Sequence, residues 1–304
     1  MMGMEFVSLS LVPMLIGICV AIACALPGNF LILRGQALIG DAISHVVLPG
    51  IVVGFLVAGT VSSTVMMLGA AAAAVLSMVA IETIRRLGRI EAGAAMGVVF
   101  TTMFALGVLL LEQADTSGVH LDVEHALYGN LEGLIWLDAI GWDSLLDPVA
   151  LAGLPAELPR MVLVLLVIVA FTVILWRPLA MMSFDEGHAR TLGLRTTALS
   201  AALVILSAVA AVAAFDAVGS IIVIAMFICP PAAARLMTNR LGSQVLVSVV
   251  IAALTAVVGY VLAGYGPLWI GQTASVSAAG MIATVSGVAL ALAAIWGPHR
   301  RRVR

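Results

Sequence analysis

The stretch Leu38-Ile-Gly-Asp41-Ala-Ile-Ser-His45-Val-Val-Leu-Pro-Gly50 sets an acid and an imidazole four residues apart in an otherwise apolar run. Apolar residues flank it, from Phe30 to Leu33 before and from Val46 to Ala58 after. A spacing of four puts both side chains on one helix face, ~6 Å apart along the axis. An ionisable group at bilayer depth costs roughly 2.5–3.5 kcal/mol on insertion scales, so groups kept there mark a pathway, a relay or a partner. One carboxylate and one imidazole on a shared face are half of a divalent-metal site. A metal pathway is the leading reading.

The rest of the chain suits that setting. Of 304 residues 63% are hydrophobic and 10% charged, with a mean hydropathy of +1.20, which is the composition of a polytopic membrane protein. Residues 1–8 carry no basic region, so the first apolar run, Leu9–Leu26, is expected to stay as a spanning helix rather than leave as a signal peptide. All 14 basic residues are Arg. The net charge of −2 argues nothing about nucleic acid, but no basic, aromatic-interleaved patch exists, so no nucleic-acid partner is expected. Cys19, Cys24 and Cys229 lie in apolar runs with no CxxC, and read as free thiols.

Hydropathy gives runs near 9–28, 36–59, 62–84, 91–112, 160–178, 197–215, 217–236, 243–263 and 274–297. The expected fold is all-α: a transmembrane helix bundle of nine spans, or eight if the first pair merges. Arg34, Arg85/Arg86/Arg89, Arg177/Arg190/Arg195, Arg235/Arg240 and the terminal arginines up to Arg304 then share one side, which the positive-inside rule makes cytoplasmic. Nine spans put the C-terminus inside and the N-terminus outside. Counted from Arg34, Asp41 lies ~10 Å and His45 ~16 Å deeper, near the midplane.

The segment from Glu112 to Arg160 holds nine of the 16 acidic residues and faces outward in this scheme. Its apolar stretches, 126–137 and 145–154, are too short to cross, so re-entrant or interfacial helices are expected. It reads either as a docking surface or as a solvated loop with Trp136, Trp142 and Tyr128 anchored at headgroups. Within it His120, Asp122, Glu124 and His125 form a tight external group that suits zinc or manganese, although its spacing is shared by ordinary acidic loops. On the other side, Ser183-Phe-Asp-Glu-Gly-His-Ala-Arg-Thr-Leu-Gly193 reads as a short charged helix closed by Gly193. Asp216 reads as an interfacial cap, and Pro230-Pro231 as a bend late in the seventh span. No GxxxxGK[ST] loop, HExxH motif or Ser/His/Asp arrangement occurs. The chain does not read as an enzyme.

Three blocks resemble the metal-ion branch of ATP-binding-cassette importer permeases, which handle manganese, zinc or iron. The block from Ala37 to Gly50 resembles the family's most recognisable segment almost residue for residue. Phe184, Asp185, Glu186, Ala189, Arg190, Leu192 and Gly193 fall in a segment similar to the coupling helix that contacts the ATPase. Val218-Gly-Ser-Ile through Pro231-Ala-Ala-Ala-Arg235 is similar to the late Pro-Ala-Ala helix, and Leu121-Asp122 through Tyr128-Gly129-Asn130 to the loop before the fifth span. Two departures stand out: Ser275-Val-Ser-Ala-Ala-Gly280 lacks the family's common Asp and Pro, and Arg34-Gly35 keeps one of two basic residues.

The resemblance implies a single permease domain, residues 1–304, of the type II importer kind, with an external region about 113–159 and a coupling helix about 184–195. It implies a multi-pass protein of the bacterial inner membrane, with Asp41 and His45 as metal ligands. Its implied partners are two ATPase subunits that bind the ATP, an extracytoplasmic metal-binding protein, a second identical or homologous permease, and the lipid bilayer. No permanently bound cofactor is implied; Mn²⁺, Zn²⁺ or Fe²⁺ is the cargo. From the residues alone, a proton-coupled secondary transporter and a non-transporting membrane scaffold stand as alternatives.

Overall fold

A bilayer offers no water to backbone N–H and C=O groups, so each apolar run must satisfy them internally, and each becomes a helix. The computed structural model describes residues 6–58, 63–113, 129, 131–269, 271 and 276–298. Among these, helices run α1 (Val12–Leu33, preceded by a π-helical turn Val7–Leu11), α2 (Ile39–Ala58), α3 (Ser63–Gly88) and α4 (Ala92–Gln113). After two 3₁₀ turns, Leu131–Gly133 and Trp142–Leu146, come α5 (Pro148–Ala152), α6 (Glu157–Ile174), α7 (Trp176–Phe184) and α8 (Glu186–Thr191). The chain closes with α9 (Thr196–Val218), α10 (Ser220–Met237), α11 (Leu241–Trp269) and α12 (Ala278–Trp296).

Among the described residues nine helices are long and apolar enough to cross a membrane, the larger of the two counts. Their limits differ from the hydropathy runs where polar residues are satisfied inside. α1 continues past Pro27-Gly28-Asn29 because Asn29 is buried and its Nδ2 donates to the Ala25 carbonyl at 2.7 Å. The fifth run instead breaks at Leu175. Pro178 cannot donate to the Ile174 carbonyl, so α6 ends there and α7 starts a new helix.

Two groups of helices make the bundle. α2 packs chiefly on α3 and α4, whereas α1 packs on α10, α11 and α6, and α10 on α12. α9 touches both groups, lying against α1, α2, α3 and α6. The α2–α3 approach depends on small residues: a methyl group on Gly50 would fall 2.5 Å from the Gly69 carbonyl oxygen. Close backbone contact of this kind replaces the hydrophobic drive that lipid cannot provide. Leucines and valines of α3, α4 and α6, such as Leu68, Leu76, Leu106, Leu163 and Val173, remain exposed on the outside, as acyl chains require.

Among the described residues of the external region, short helical turns stand where re-entrant or interfacial helices were expected. Trp136 is wholly buried rather than anchored at headgroups. Its backbone N–H donates to Ser8 O and its indole Nε1–H to Ala150 O, each at 2.8 Å. Glu132 accepts from the Ala278 N–H at the start of α12. Its carboxylate thus meets the first turn of α12, where the helix N-terminus favours a negative charge.

One polar pair ties α1 to α11: the Gln244 amide nitrogen donates to Asn29 Oδ1 at 3.2 Å, both residues being fully buried. Asn29→Leu strands the Gln244 amide at a cost of about 1–3 kcal/mol. The detergent-solubilised protein is expected to melt several degrees lower, and an unchanged melting temperature would show the pair to be energetically idle.

Candidate metal pair and charged helix

α2 does not begin at Arg34. The turn Arg34–Leu38 comes first, the Ile39 N–H bonds the Gln36 carbonyl at 3.1 Å, and Asp41 lies in the first turn of the helix. Measured from Ile39, Asp41 is ~3 Å and His45 ~9 Å along the axis. The pair therefore lies in the Arg34 half of α2, shallower than a count from Arg34 implies, because a turn spends residues without helical rise.

Asp41 and His45 do share a face. His45 Nε2 stands 3.3 Å from Asp41 Oδ1, and the two side chains keep 25% and 27% of their surface open. That opening means the pair is not sealed in the core. The imidazole is held from α4: Phe100 stacks on it with centroids 5.3 Å apart at 23°, and Phe104 meets it edge-on at 5.4 Å and 82°. With two walls, the ring cannot rotate freely about χ2, and Nε2 stays turned to the carboxylate. Sequence reasoning missed both phenylalanines. The available signal was their own spacing of four in a span otherwise rich in Ala, Gly and Val.

Among the described residues no third His, Cys, Asp or Glu joins a metal-sized group. One chain offers two ligands, short of the four that a closed shell of zinc takes. The external candidates His120, Asp122, Glu124 and His125 lie outside the described residues, as does Tyr128.

The charged segment after α7 forms a defined knob, shorter than the 184–195 expected for it. Asp185 caps α8, its Oδ1 accepting from the His188 N–H at 2.8 Å. At the other end Leu192 is the C-cap and Gly193 has φ +79°. The Gly193 N–H donates to Arg190 O at 3.0 Å and the Leu194 N–H to Ala189 O at 3.1 Å. This pair of bonds is the Schellman closure. Ala189 packs inward with no exposed surface, whereas Phe184 and Leu192 are 60% and 55% exposed. Glu186 pairs with Arg190, whose Nε donates to Thr196 Oγ1 at 3.0 Å at the foot of α9. Two apolar side chains, one at the end of α7 and one at the C-cap, thus flank a short helix whose ends are both fixed.

Comparison with known proteins decides the class. The model of the ABC 3 transport family matches residues 8–140 and 150–297. The chain belongs to the ABC 3 transport family. Like other members it is a non-enzymatic membrane component of an ATP-binding-cassette transporter, with the ATPase on a separate subunit. It is similar to the manganese transport system membrane protein MntD of Bacillus subtilis, at 36% identity over 282 residues, covering 93% of this chain and 90% of that one. It is also 34% identical over 290 residues to the zinc transport system membrane protein TroD of Treponema pallidum, covering 95% and 74%. A solved structure, PsaBC from Streptococcus pneumoniae in complex with Fab, superposes with a TM-score of 0.72 at 27% identity, covering 96% of this chain and 93% of that one. Membership of an ABC 3 family sets aside the proton-coupled carrier and the scaffold.

Phe104→Ala removes one wall of the imidazole slot. Aromatic contacts are worth about 0.5–1.5 kcal/mol beyond their burial, so divalent-metal binding at the pair is expected to weaken about 2- to 10-fold. Titration of the assembled protein with Mn²⁺ measures this, and unchanged affinity would mean that another group orients His45.

Proposed function

We propose that the chain is the permease subunit of an importer for divalent transition-metal ions, passing each ion from an extracytoplasmic binding protein to the cytoplasm along Asp41 and His45. The separation of the two ligand atoms supports this most directly. Atoms 3.3 Å apart, each at an ordinary metal–ligand distance of ~2.1 Å, subtend about 104° at a shared ion. That angle lies between octahedral and tetrahedral, so an ion can enter with little rearrangement of either side chain.

The donor chemistry narrows the cargo. A carboxylate oxygen and a neutral imidazole nitrogen suit Mn²⁺, Zn²⁺ and Fe²⁺, and disfavour Cu(I), which takes sulfur. Manganese is preferred, in keeping with the MntD relative and with the character of the external His120–Gly129 stretch. Asp41 attracts the cation and His45 fixes its position. Two ligands per chain and an open side favour a second permease, identical or homologous, whose own pair completes the shell on a two-fold axis. A shell assembled from two chains opens when they part, which gives the ion a way out.

The exposed Phe184 and Leu192 on either side of α8 suit a cleft in the ATPase subunit, and the charged turn of Asp185 and Glu186 gives the docking a polar rim. ATP binding and hydrolysis there would rock the bundle between outward- and inward-open states. The acidic external segment, held by Trp136 and Glu132, suits the binding protein.

Asp41→Ala and His45→Ala are each expected to abolish metal uptake in proteoliposomes holding the full transporter, while subunit assembly is kept. Wild-type uptake by either variant would remove the site. Separately, Leu192→Cys is expected to cross-link to a cysteine in the ATPase cleft, and failure to do so in an intact complex would remove α8 as the dock.

A further inference from the structure

Arg34 is held where it stands by the backbone. It is the C-cap of α1, Gly35 follows with φ +66°, the Gly35 N–H donates to Ile32 O at 3.0 Å and the Gln36 N–H to Leu31 O at 2.8 Å. This Schellman turn leads straight to the Ile39 N–H on the Gln36 carbonyl. A tight turn is all that separates the guanidinium from the helix that carries Asp41 and His45.

The side chain crosses to other elements rather than reaching out to water. Its Nη2 donates to Ser200 Oγ of α9 at 2.8 Å, and its Nη1 lies 3.5 Å from Met182 Sδ of α7. Burial pushes the pKa of this guanidinium down, and the charge of Glu186 on α8 pushes it back up. Ser200 and a thioether cannot balance a half-buried cation, whereas a carboxylate can. A cation at a helix C-terminus is favoured by the dipole alone, but the dipole does not direct it across α7 and α9. Glu186 also holds Arg190, and Arg190 holds Thr196. From α8 the polar contacts reach Thr196 through Arg190, and Thr196 lies one helical turn along α9 from Ser200, which accepts from Arg34.

We propose that Arg34 is a latch that makes α8 and α2 move together, so that displacement of α8 reaches Asp41 and His45. This rests on the reading of α8 as the ATPase dock. The start of α2 has a second fixed point on its other side: a methyl group on Gly40 would fall 2.7 Å from the ring of Phe227 on α10. A pull through Arg34 pivots α2 at that contact instead of sliding it. Arg34 touches no ion in this scheme; it is a positioning residue.

The test uses the complete transporter in proteoliposomes and reads ions moved per ATP hydrolysed, beside subunit assembly. Arg34→Gln is expected to lower that ratio about tenfold while ATP hydrolysis and Mn²⁺ binding persist. Arg34→Glu is expected to lower it at least as far, and Ser200→Ala, which removes the acceptor on α9, to lower it in the same direction. A wild-type ratio in Arg34→Gln overturns the latch. So does a wild-type ratio in Ser200→Ala, or loss of assembly in every Arg34 variant, since the residue then serves folding alone. The Leu192→Cys cross-link, made with Arg34 intact, separates the two failures. Its absence removes the dock and the latch together, and its presence beside an unaltered ratio removes only the latch.

Discussion

An acid and an imidazole can stay in an apolar bundle only if each has something to answer its polarity, and much of the packing around α2 follows from that need. Asp41 and His45 answer each other at 3.3 Å, and two phenylalanines of α4 keep the ring in place. α4 comes that close through Gly107, where a methyl group would fall 2.8 Å from Pro49 of α2, while Gly50 and Gly54 bring α3 against α2. An ionisable pair in a helix this apolar points to a use beyond folding.

The remaining helices divide that task from the task of holding shape. α1, α10, α11 and α12 form a body stapled by Asn29 and Gln244, with the external turns fixed to it through Trp136 and Glu132. α2, α3 and α4 form a second body, and α9 bridges the two. Two packed groups that share α9 and meet at the Gly40–Phe227 contact are a natural basis for rocking, because each group keeps its own internal contacts as the angle between them changes. The polar contacts of Arg34 lie where the groups meet.

Much of this was legible in the sequence. Nine long apolar runs became nine long helices among the described residues, and Asp185 and Gly193 close the two ends of α8 as their types suggest, because capping is a local property. Depth was misjudged because hydropathy does not reveal that residues 34–38 form a turn. Pro27-Gly28-Asn29 reads as a helix end until Asn29 is seen to bond its own Ala25 carbonyl and the distant Gln244. Trp136 reads as an interfacial anchor, yet its indole finds a carbonyl in α5 and goes inside. Phe100, Phe104 and Arg34 matter through partners more than 50 residues away, and no spacing within one helix can display such contacts.

X-ray absorption at the metal edge of the Mn²⁺-loaded transporter, trapped before ATP hydrolysis, tests the central claim most directly. The account predicts a mixed oxygen and nitrogen shell with the outer-shell scattering of imidazole, and loss of that scattering in His45→Ala. A shell of oxygen alone in the unaltered protein, or an imidazole signal that survives His45→Ala, would contradict it.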